Sequence, residues 1–272
     1  MKLVQLIVLP LFVGGSAMTC RKRLFQTILC LFIVLSPAWS RAELTESVDS
    51  EALEILKRMN DYLLSQQVVG FRAIENEEVV FGDGYKVMFS EEIRFTMARP
   101  NKFHVQRHNG ESEVEMFYDS SSFTIFRKDL NFFATTNAPP TITEVFAKLD
   151  NKLNIQIVAR DILRDDSSKF LLASISSGFV VGDALVHGVL STHLAFRSTD
   201  TDMQIWITKG QQALPMKYVV TSRWITGAPQ YAVTFFDWVV QDDIDNAVFV
   251  FKAPQDAKEI PFAQFTPRKE VN

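Results

Sequence analysis

Long stretches in which apolar and polar residues alternate constrain the fold of this chain more than any other feature. Within residues 86–99, Ile93, Phe95 and Met97 alternate with polar side chains. Successive side chains of a β-strand point to opposite faces, so this pattern is typical of a strand with one dry and one wet face. Similar short stretches follow, separated by turns rich in Asn, Asp, Ser and Gly. The pattern predicts a meander of antiparallel strands.

Two segments have the periodicity of a helix instead. Asp49 or Ser50 can cap the first helix, which we expect to end at about Ser65 and which carries its apolar residues on one stripe. The second segment covers about residues 141–175, and strands resume between about residues 178 and 252. The order along the chain is therefore a helix, about six strands, a helical insert and about six more strands.

A long sheet with one apolar face must bury that face against another layer. The two helical segments are the covers that this chain offers. We therefore predict an α+β fold built on a strongly curved antiparallel sheet of about 10–12 strands. This half-open barrel would carry the N-terminal helix and a helical lid on its concave face.

The N-terminal residues have the composition of an export signal. Three basic residues at 21–23 precede an apolar run at 24–35, and small residues after Pro37 have the spacing that a signal peptidase needs. We interpret residues 18–42 as a signal peptide and residues 1–17 as an extension from a misplaced gene start. Two alternatives stay open: a long n-region that begins at Met1, and a membrane hairpin or anchor. Each apolar run is shorter than the ~20 residues of a spanning helix, which weakens the anchor.

This interpretation places the protein in the periplasm and leaves residues 43–260 as a single domain followed by a loose tail at 261–272. Cys20 and Cys30 both lie in the leader, so the exported chain would have neither a disulfide nor a thiol nucleophile. Removing the five basic residues of 1–42 leaves 23 basic and 32 acidic residues, a net charge of −9. This charge argues against a nucleic-acid partner.

Sequence signatures of catalysis are absent from the chain. There is no Gly-x-Ser-x-Gly elbow, glycine-rich phosphate loop or His-Glu-x-x-His motif. His104 and His108 have zinc-like spacing for a helix, but on a strand they would lie roughly 13 Å apart. We expect no catalytic residue, no metal site and no cofactor. An undetected hydrolase stays an alternative, because catalytic triads are defined by geometry.

The dry face of the predicted sheet is the positive signal for a ligand. Its side chains would line an apolar concavity that suits an acyl chain. Phe146 and Leu149 of the helical insert would cap this concavity. The same side chains are also what a filled core would need. The predicted lining consists of Phe89, Ile93, Phe95, Met97, Phe103, Val105, Val114, Met116, Ile205, Ile207, Val233, Phe235, Phe146 and Leu149.

Several short segments resemble the predicted periplasmic proteins grouped as domain of unknown function 2092. These segments are EALEILKRM (51–59), RPNK (99–102), FYD (117–119), HLAFR (193–197), QIWI (204–207), LPMK (214–217), PQY (229–231) and DW (237–238). The order of elements also resembles the lipoprotein carriers LolA and LolB and the lipid carrier LppX. One departure is Ser120, which stands where the group usually has glycine. The resemblance implies a LolA-like fold and assigns no catalytic residue.

Two kinds of partner fit these observations. The leading hypothesis is a non-catalytic periplasmic protein that binds a lipid or the acyl chain of a lipoprotein. The alternative is a module that binds an envelope protein through an exposed strand edge or through Trp206, Trp224 and Trp238.

Overall fold

The computed structural model describes residues 47–153 and 155–262, and every structural statement below concerns these residues. The predicted extension, the signal peptide and its cleavage site lie outside the described residues, as does most of the predicted tail. The described residues all belong to one compact unit, Glu43–Asn272. None of the helices found among them combines the length and the apolar character that crossing a membrane requires.

Four helices and twelve strands make up the described chain. The helices are α1 (Ser50–Ser65), α2 (Ile142–Leu153), α3 (Arg160–Leu163) and α4 (Ser167–Leu172). The strands before the helical insert are β1 (Val68–Val80), β2 (Lys86–Ala98), β3 (Lys102–His108), β4 (Glu113–Tyr118), β5 (Ser122–Arg127) and β6 (Phe132–Asn137). The strands after it are β7 (Ser177–Val186), β8 (Val189–Arg197), β9 (Thr201–Thr208), β10 (Pro215–Ser222), β11 (Gln230–Gln241) and β12 (Lys258–Glu259).

All twelve strands form one sheet in the order β12-β6-β5-β4-β3-β2-β1-β11-β10-β9-β8-β7. Neighbours are antiparallel, except that β12 runs parallel to β6. Each half of the chain is a meander, and the pairing of β1 with β11 joins the two meanders. The two outermost strands, β12 and β7, have no pairing with each other among the described residues. The predicted fold class, a curved, unclosed sheet with few helices, is thus confirmed.

The central strand β1 was not among the predicted strands. It pairs with β2 over its whole length and with β11 on its other side. Gly70 interrupts its apolar pattern, and the register to β11 shifts just after this residue. Glu75 and Glu77 then occupy positions where the alternation would need apolar residues. The pattern therefore hides the strand that connects the two halves of the sheet.

The C-terminal segment also differs from the prediction of a strand at 248–252. Asn246–Phe249 forms a 3₁₀ turn, and Phe249 is buried against Val68 and Ala98. Phe251 then contacts three aromatic rings on β4, β5 and β6. The segment thus packs against the sheet and ends by adding β12 to its edge.

Helix α1 begins where the sequence predicts it. The Asp49 side chain accepts a hydrogen bond from the Glu51 backbone N–H at 2.9 Å, which satisfies one of the unpaired donors of the first turn. Leu56, Met59 and Leu63 lie on the buried stripe of the helix. The helix therefore forms part of the layer that covers the apolar face of the sheet.

Candidate functional site

The structure brings most of the predicted lining together in the interior between the sheet and its helices. Twelve of the fourteen predicted residues are buried in one core cluster. Val114 is partly buried against that cluster, and Phe89, near the start of β2, is partly exposed. The twelve are Ile93, Phe95, Met97, Phe103, Val105, Met116, Phe146, Leu149, Ile205, Ile207, Val233 and Phe235.

Aromatic rings dominate the centre of this interior. Phe71 stacks on Phe95 at 5.1 Å between centroids and meets Phe235 edge-on at 5.1 Å. Phe103 lies 6.2 Å from Phe95 and 5.5 Å from Phe146 of α2. The ring series therefore runs across β11, β1, β2 and β3 to the helix above them. Phe71 escaped the sequence prediction because it belongs to β1.

Helix α2 is seated on this interior by apolar contacts. Ile142, Val145, Phe146 and Leu149 are each at most 5% exposed. Thr141 caps the helix, since its hydroxyl accepts from the Glu144 backbone N–H at 3.2 Å and donates to the Glu144 carboxylate at 2.8 Å. The N-terminal cap and the burial of these four side chains anchor this part of the cover.

Helix α4 is seated differently. Leu171 is buried, but Phe170 is 44% exposed. The buried hydroxyls of Ser167 and Ser168 have no hydrogen-bond partner in the described structure, and neither has the buried amide of Asn60 on α1, which packs against α4. A buried polar group left without a partner costs about 1–3 kcal/mol. This part of the cover is therefore held less favourably than α2.

A cavity of about 220 Å³ lies between α4 and strands β8, β9 and β10. None of the fourteen predicted residues lines it. Phe196 and Met203 could have been found from the sequence, because they alternate in phase with Leu194 and Ile205 on the buried face. Its lining comprises Asp161, Phe170, Leu171, Ser174, Ile175, Phe196, Arg197, Ser198, Thr201, Met203, Tyr218 and Val220.

The concave face also carries charge, which the prediction of a dry face did not include. Glu75 and Glu91 lie directly opposite each other on β1 and β2. Arg107 of β3 bridges them, at 2.9 Å from the Glu75 carboxylate and 2.6 Å from that of Glu91. The Tyr231 hydroxyl donates to Glu75 at 3.2 Å. One arginine thus offsets the repulsion between two facing carboxylates.

This polar cluster is bonded to the cover as well as to the sheet. The Arg107 guanidinium donates to the Gln156 carbonyl at 3.0 Å, and the Ala159 backbone N–H donates to the Tyr231 hydroxyl at 3.2 Å. Burial raises the pKa of Glu75, against the opposing attraction of Arg107. The cluster is therefore a buried clasp that holds the connection between α2 and α3.

A second carboxylate lies under the cover at the cavity. Asp161 of α3 accepts a long hydrogen bond of 3.4 Å from the Tyr218 hydroxyl and lies 3.6 Å from the Arg160 guanidinium. Burial raises the pKa of Asp161, while the nearby Arg160 and Arg164 charges act to lower it. The side chain is thus partly desolvated and has no close ionic partner.

The family of the chain follows from its whole domain rather than from these side chains. A family model described as "Predicted periplasmic protein (DUF2092)" matches residues 52–263, which is most of the chain. The chain belongs to the DUF2092 family of predicted periplasmic proteins. The family resemblance stated from the short sequence segments is thereby confirmed. No functionally curated protein has a significantly similar sequence.

Several solved structures are similar to this DUF2092 chain. LprF from Mycobacterium bovis has 10% identity and a TM-score of 0.45, over 78% of this chain and 99% of that one. The MucA/MucB complex of Pseudomonas aeruginosa has 11% identity and a TM-score of 0.43, over 74% and 62%. The lipoprotein LppX of Mycobacterium tuberculosis has 11% identity and a TM-score of 0.36, over 72% and 100%.

Three tryptophans of this DUF2092 protein, Trp206, Trp224 and Trp238, differ in their packing and exposure. Trp206 stacks on His193 at 4.0 Å, and Trp238 donates to the Pro215 carbonyl at 2.9 Å while packing on Phe71. Trp224, in contrast, is 72% exposed. Of the three tryptophans proposed for binding a partner, Trp224 is the one that the fold leaves accessible.

Histidine and carboxylate positions give no arrangement for a metal. His104 stacks on Phe117 at 4.3 Å and lies 3.3 Å from the Glu115 carboxylate. Across the described ranges, no three His, Cys, Asp or Glu side chains are grouped so that they could hold a metal ion. The site therefore offers apolar surface beside two polar clusters, the clasp around Arg107 and the Asp161–Tyr218 pair.

Proposed function

We propose that this protein is a non-catalytic periplasmic carrier that binds the acyl chain of a lipid or lipoprotein between its curved sheet and its helical cover. The observation that carries the proposal is the cavity of about 220 Å³ beneath α4, which continues the apolar face of the sheet. Each methylene that leaves water for such a surface contributes about 0.8 kcal/mol. An interior of this kind suits a chain of repeated methylenes rather than a polar substrate.

The size of the cavity adds a requirement. Ligand pockets usually measure about 300–1,000 Å³, more than this cavity offers. A chain of biological length therefore needs space that α4 occupies. The unpaired polar atoms of Ser167, Ser168 and Asn60 make α4 the part of the cover that moves at the lowest cost. Burial of the chain would replace the apolar contacts that α4 gives up.

Native mass spectrometry of protein purified from periplasm tests the proposal. The expected result is a co-purifying lipid, or a rise in melting temperature when a fatty acid is added. Met203→Trp should fill the cavity and abolish the shift, whereas Val239→Trp, at a 49% exposed position of β11, should leave it unchanged. Absence of both a bound lipid and a ligand-induced shift in the unmodified protein would refute the proposal.

An envelope protein is a second candidate partner, and two hairpin tips favour it. Trp224 and Tyr85 are each 72% exposed. The two hairpins lie side by side. Gly227, in the turn between β10 and β11, is so close to Val80 at the end of β1 that an added Cβ would lie 3.2 Å from the Val80 side chain. Aromatic side chains of this kind are enriched at the centres of protein interfaces. Photo-crosslinking from position 224 should then capture a defined partner, which the double variant Trp224→Ala, Tyr85→Ala no longer binds.

A further inference from the structure

The charges that line the cavity beneath α4 are unequally matched. Arg197 forms two contacts of 2.7 Å with Asp202, so its charge is neutralised at close range. Asp161 has only the 3.6 Å contact to Arg160 and the 3.4 Å bond from Tyr218. Among the ionisable groups lining this cavity, the Asp161 carboxylate is thus the charged one without a close ion pair.

The cationic neighbours of Asp161 have other partners. Arg160 forms a close ion pair with Asp150, and Arg164 pairs with Asp166. Asp161 keeps 29% of its side-chain surface accessible. A ligand in the cavity can therefore reach this carboxylate without displacing a close ion pair. A charge-assisted hydrogen bond to this carboxylate would be shorter and roughly twice as strong as a neutral one.

The apolar part of the lining indicates that the rest of a ligand bound here is apolar. Phe170, Phe196 and Met203 lie on the cavity wall, and the Tyr218 ring, 2% exposed, lies beside Asp161. The cavity wall thus combines apolar side chains with the Asp161 carboxylate and the Tyr218 hydroxyl. Such a space fits a molecule with one apolar chain and one small polar end.

We propose that the cavity beneath α4 takes a single-chain amphiphile whose chain ends in an ammonium group, with the ammonium bound by Asp161 and Tyr218. The proposal rests on the proposed acyl-chain function and specifies the ligand end that the site selects. A carboxylate at the chain end would instead face the Asp161 carboxylate, and like charges at this distance repel. The site therefore discriminates between chain ends by charge.

Three probes with the same twelve-carbon chain test this selection: dodecylamine, dodecanol and dodecanoate. Isothermal titration at pH 7.5, below the critical micelle concentrations, should rank them in that order. We expect dodecylamine to bind about ten-fold or more tightly than dodecanol, as one charge-assisted hydrogen bond implies. Asp161→Asn should bring the two within about two-fold of each other and leave dodecanol affinity unchanged.

Asp183→Asn is the matched control, because it removes the same charge from an exposed ion pair with Lys209 that lies outside the cavity lining. It should preserve the preference for dodecylamine. Equal binding of all three probes, or tightest binding of dodecanoate, would overturn this inference while the acyl-chain function stands. Binding of none of the three would instead count against the proposed function itself. Circular dichroism of each variant establishes that the fold is kept.

Discussion

The two outer helices of the cover, α2 and α4, lie on the same sheet but are attached to it in different ways. Helix α2 has twelve residues, a Thr141 cap and four side chains that are at most 5% exposed. Helix α4 has six residues, an exposed Phe170 and buried hydroxyls without partners. The cover thus has a well-anchored half at α2 and a less favourably seated half at α4, which the proposed function takes to be the half that moves. An interior ligand would then enter beneath α4.

The polar clasp marks the boundary between these halves. Arg107 and Tyr231 bond to residues 156 and 159, directly after α2 and before α3. Motion of α4 can thus occur without loss of the α2 contacts, because the clasp anchors the chain between them. Under the proposed function, this arrangement would let the site open while most of the core stays buried.

The largest predicted effect is a difference in stability between substitutions in α2 and in α4. Phe146→Ala should lower the free energy of unfolding by about 3–5 kcal/mol, because it leaves a cavity against Phe103 in the filled interior. Phe170→Ala should lower it by only about 0.5–1 kcal/mol, the contribution of its contact with Arg164. Urea denaturation followed by tryptophan fluorescence measures both. Equal losses of unfolding free energy would show that α2 and α4 are anchored equally well.

The next effect concerns the clasp. Arg107→Met should cost about 2–4 kcal/mol, because it leaves Glu75 and Glu91 facing each other with no cation between them. Arg72→Met is the control: Arg72 forms an exposed ion pair with Asp237 at 3.3 Å and should change the unfolding free energy by less than about 1 kcal/mol. Urea is the suitable denaturant because it does not screen charge. A clasp variant as stable as the control would show that the cluster does not anchor the cover.

A pH dependence follows from the burial of Glu75. Burial raises the pKa of this carboxyl in the folded protein above its ordinary value of 4.5, so the folded state holds the proton more tightly than the unfolded state. The stabilisation from this group is fully present below about pH 4.5 and is lost as pH rises through the folded pKa. Relative to Glu75→Gln, the unmodified protein should therefore lose stability as pH rises from 4.5.

The pairwise comparison controls for the other charges. Position 75 has the same charged and titratable neighbours in both proteins, namely Arg107, Glu91, Glu77 and Tyr231. The difference between the two pH profiles therefore reports on the Glu75 carboxyl. Thermal unfolding at several pH values from 4.5 to 8 gives this difference. A difference that grows with pH instead would mean that the ion pair with Arg107 outweighs burial.

The smallest predicted effect is a gain in stability. Ser167→Ala removes a buried hydroxyl without a partner and should raise the unfolding free energy by up to about 1 kcal/mol. Ser121→Ala provides the control, because the Ser121 hydroxyl bonds to Asp119 at 3.0 Å and its loss should not stabilise the protein. A tighter α4 should also slow uptake of an amphiphile in stopped-flow fluorescence. A destabilised Ser167→Ala variant would show that α4 is already well seated.

Sequence patterns predicted what depends on local periodicity. The alternation of Phe95 and Met97 with polar residues marked β2, and the capped stripe after Asp49 marked α1. Strand β1 was missed because Gly70 and Glu75 break its pattern. The interrupted pattern has a structural reason, since Glu75 is a member of the clasp. Local rules fail here at a position with a specialised role.

The remaining features depend on contacts between distant parts of the chain. Alternation puts Arg107 in phase with Val105, so its concave position was readable from the sequence. Its meeting with Glu75 required the registers of β1, β2 and β3, which no local pattern specifies. The cavity likewise depends on how α4 packs over β8–β10. The sequence thus predicted the apolar face but not the place where that face stays unfilled.

Hydrogen exchange of the backbone amides in α2 and α4 measures whether α4 opens more readily than α2 and whether a ligand binds beneath it. The measurement compares the free protein with the protein saturated by the tightest-binding of the twelve-carbon amphiphiles. We expect α4 to exchange faster than α2 in the free protein, and the ligand to slow exchange in α4 and in β8–β10 but not in α2. Equal exchange of the two helices, unchanged by a ligand that titration shows to be bound, would contradict this expectation.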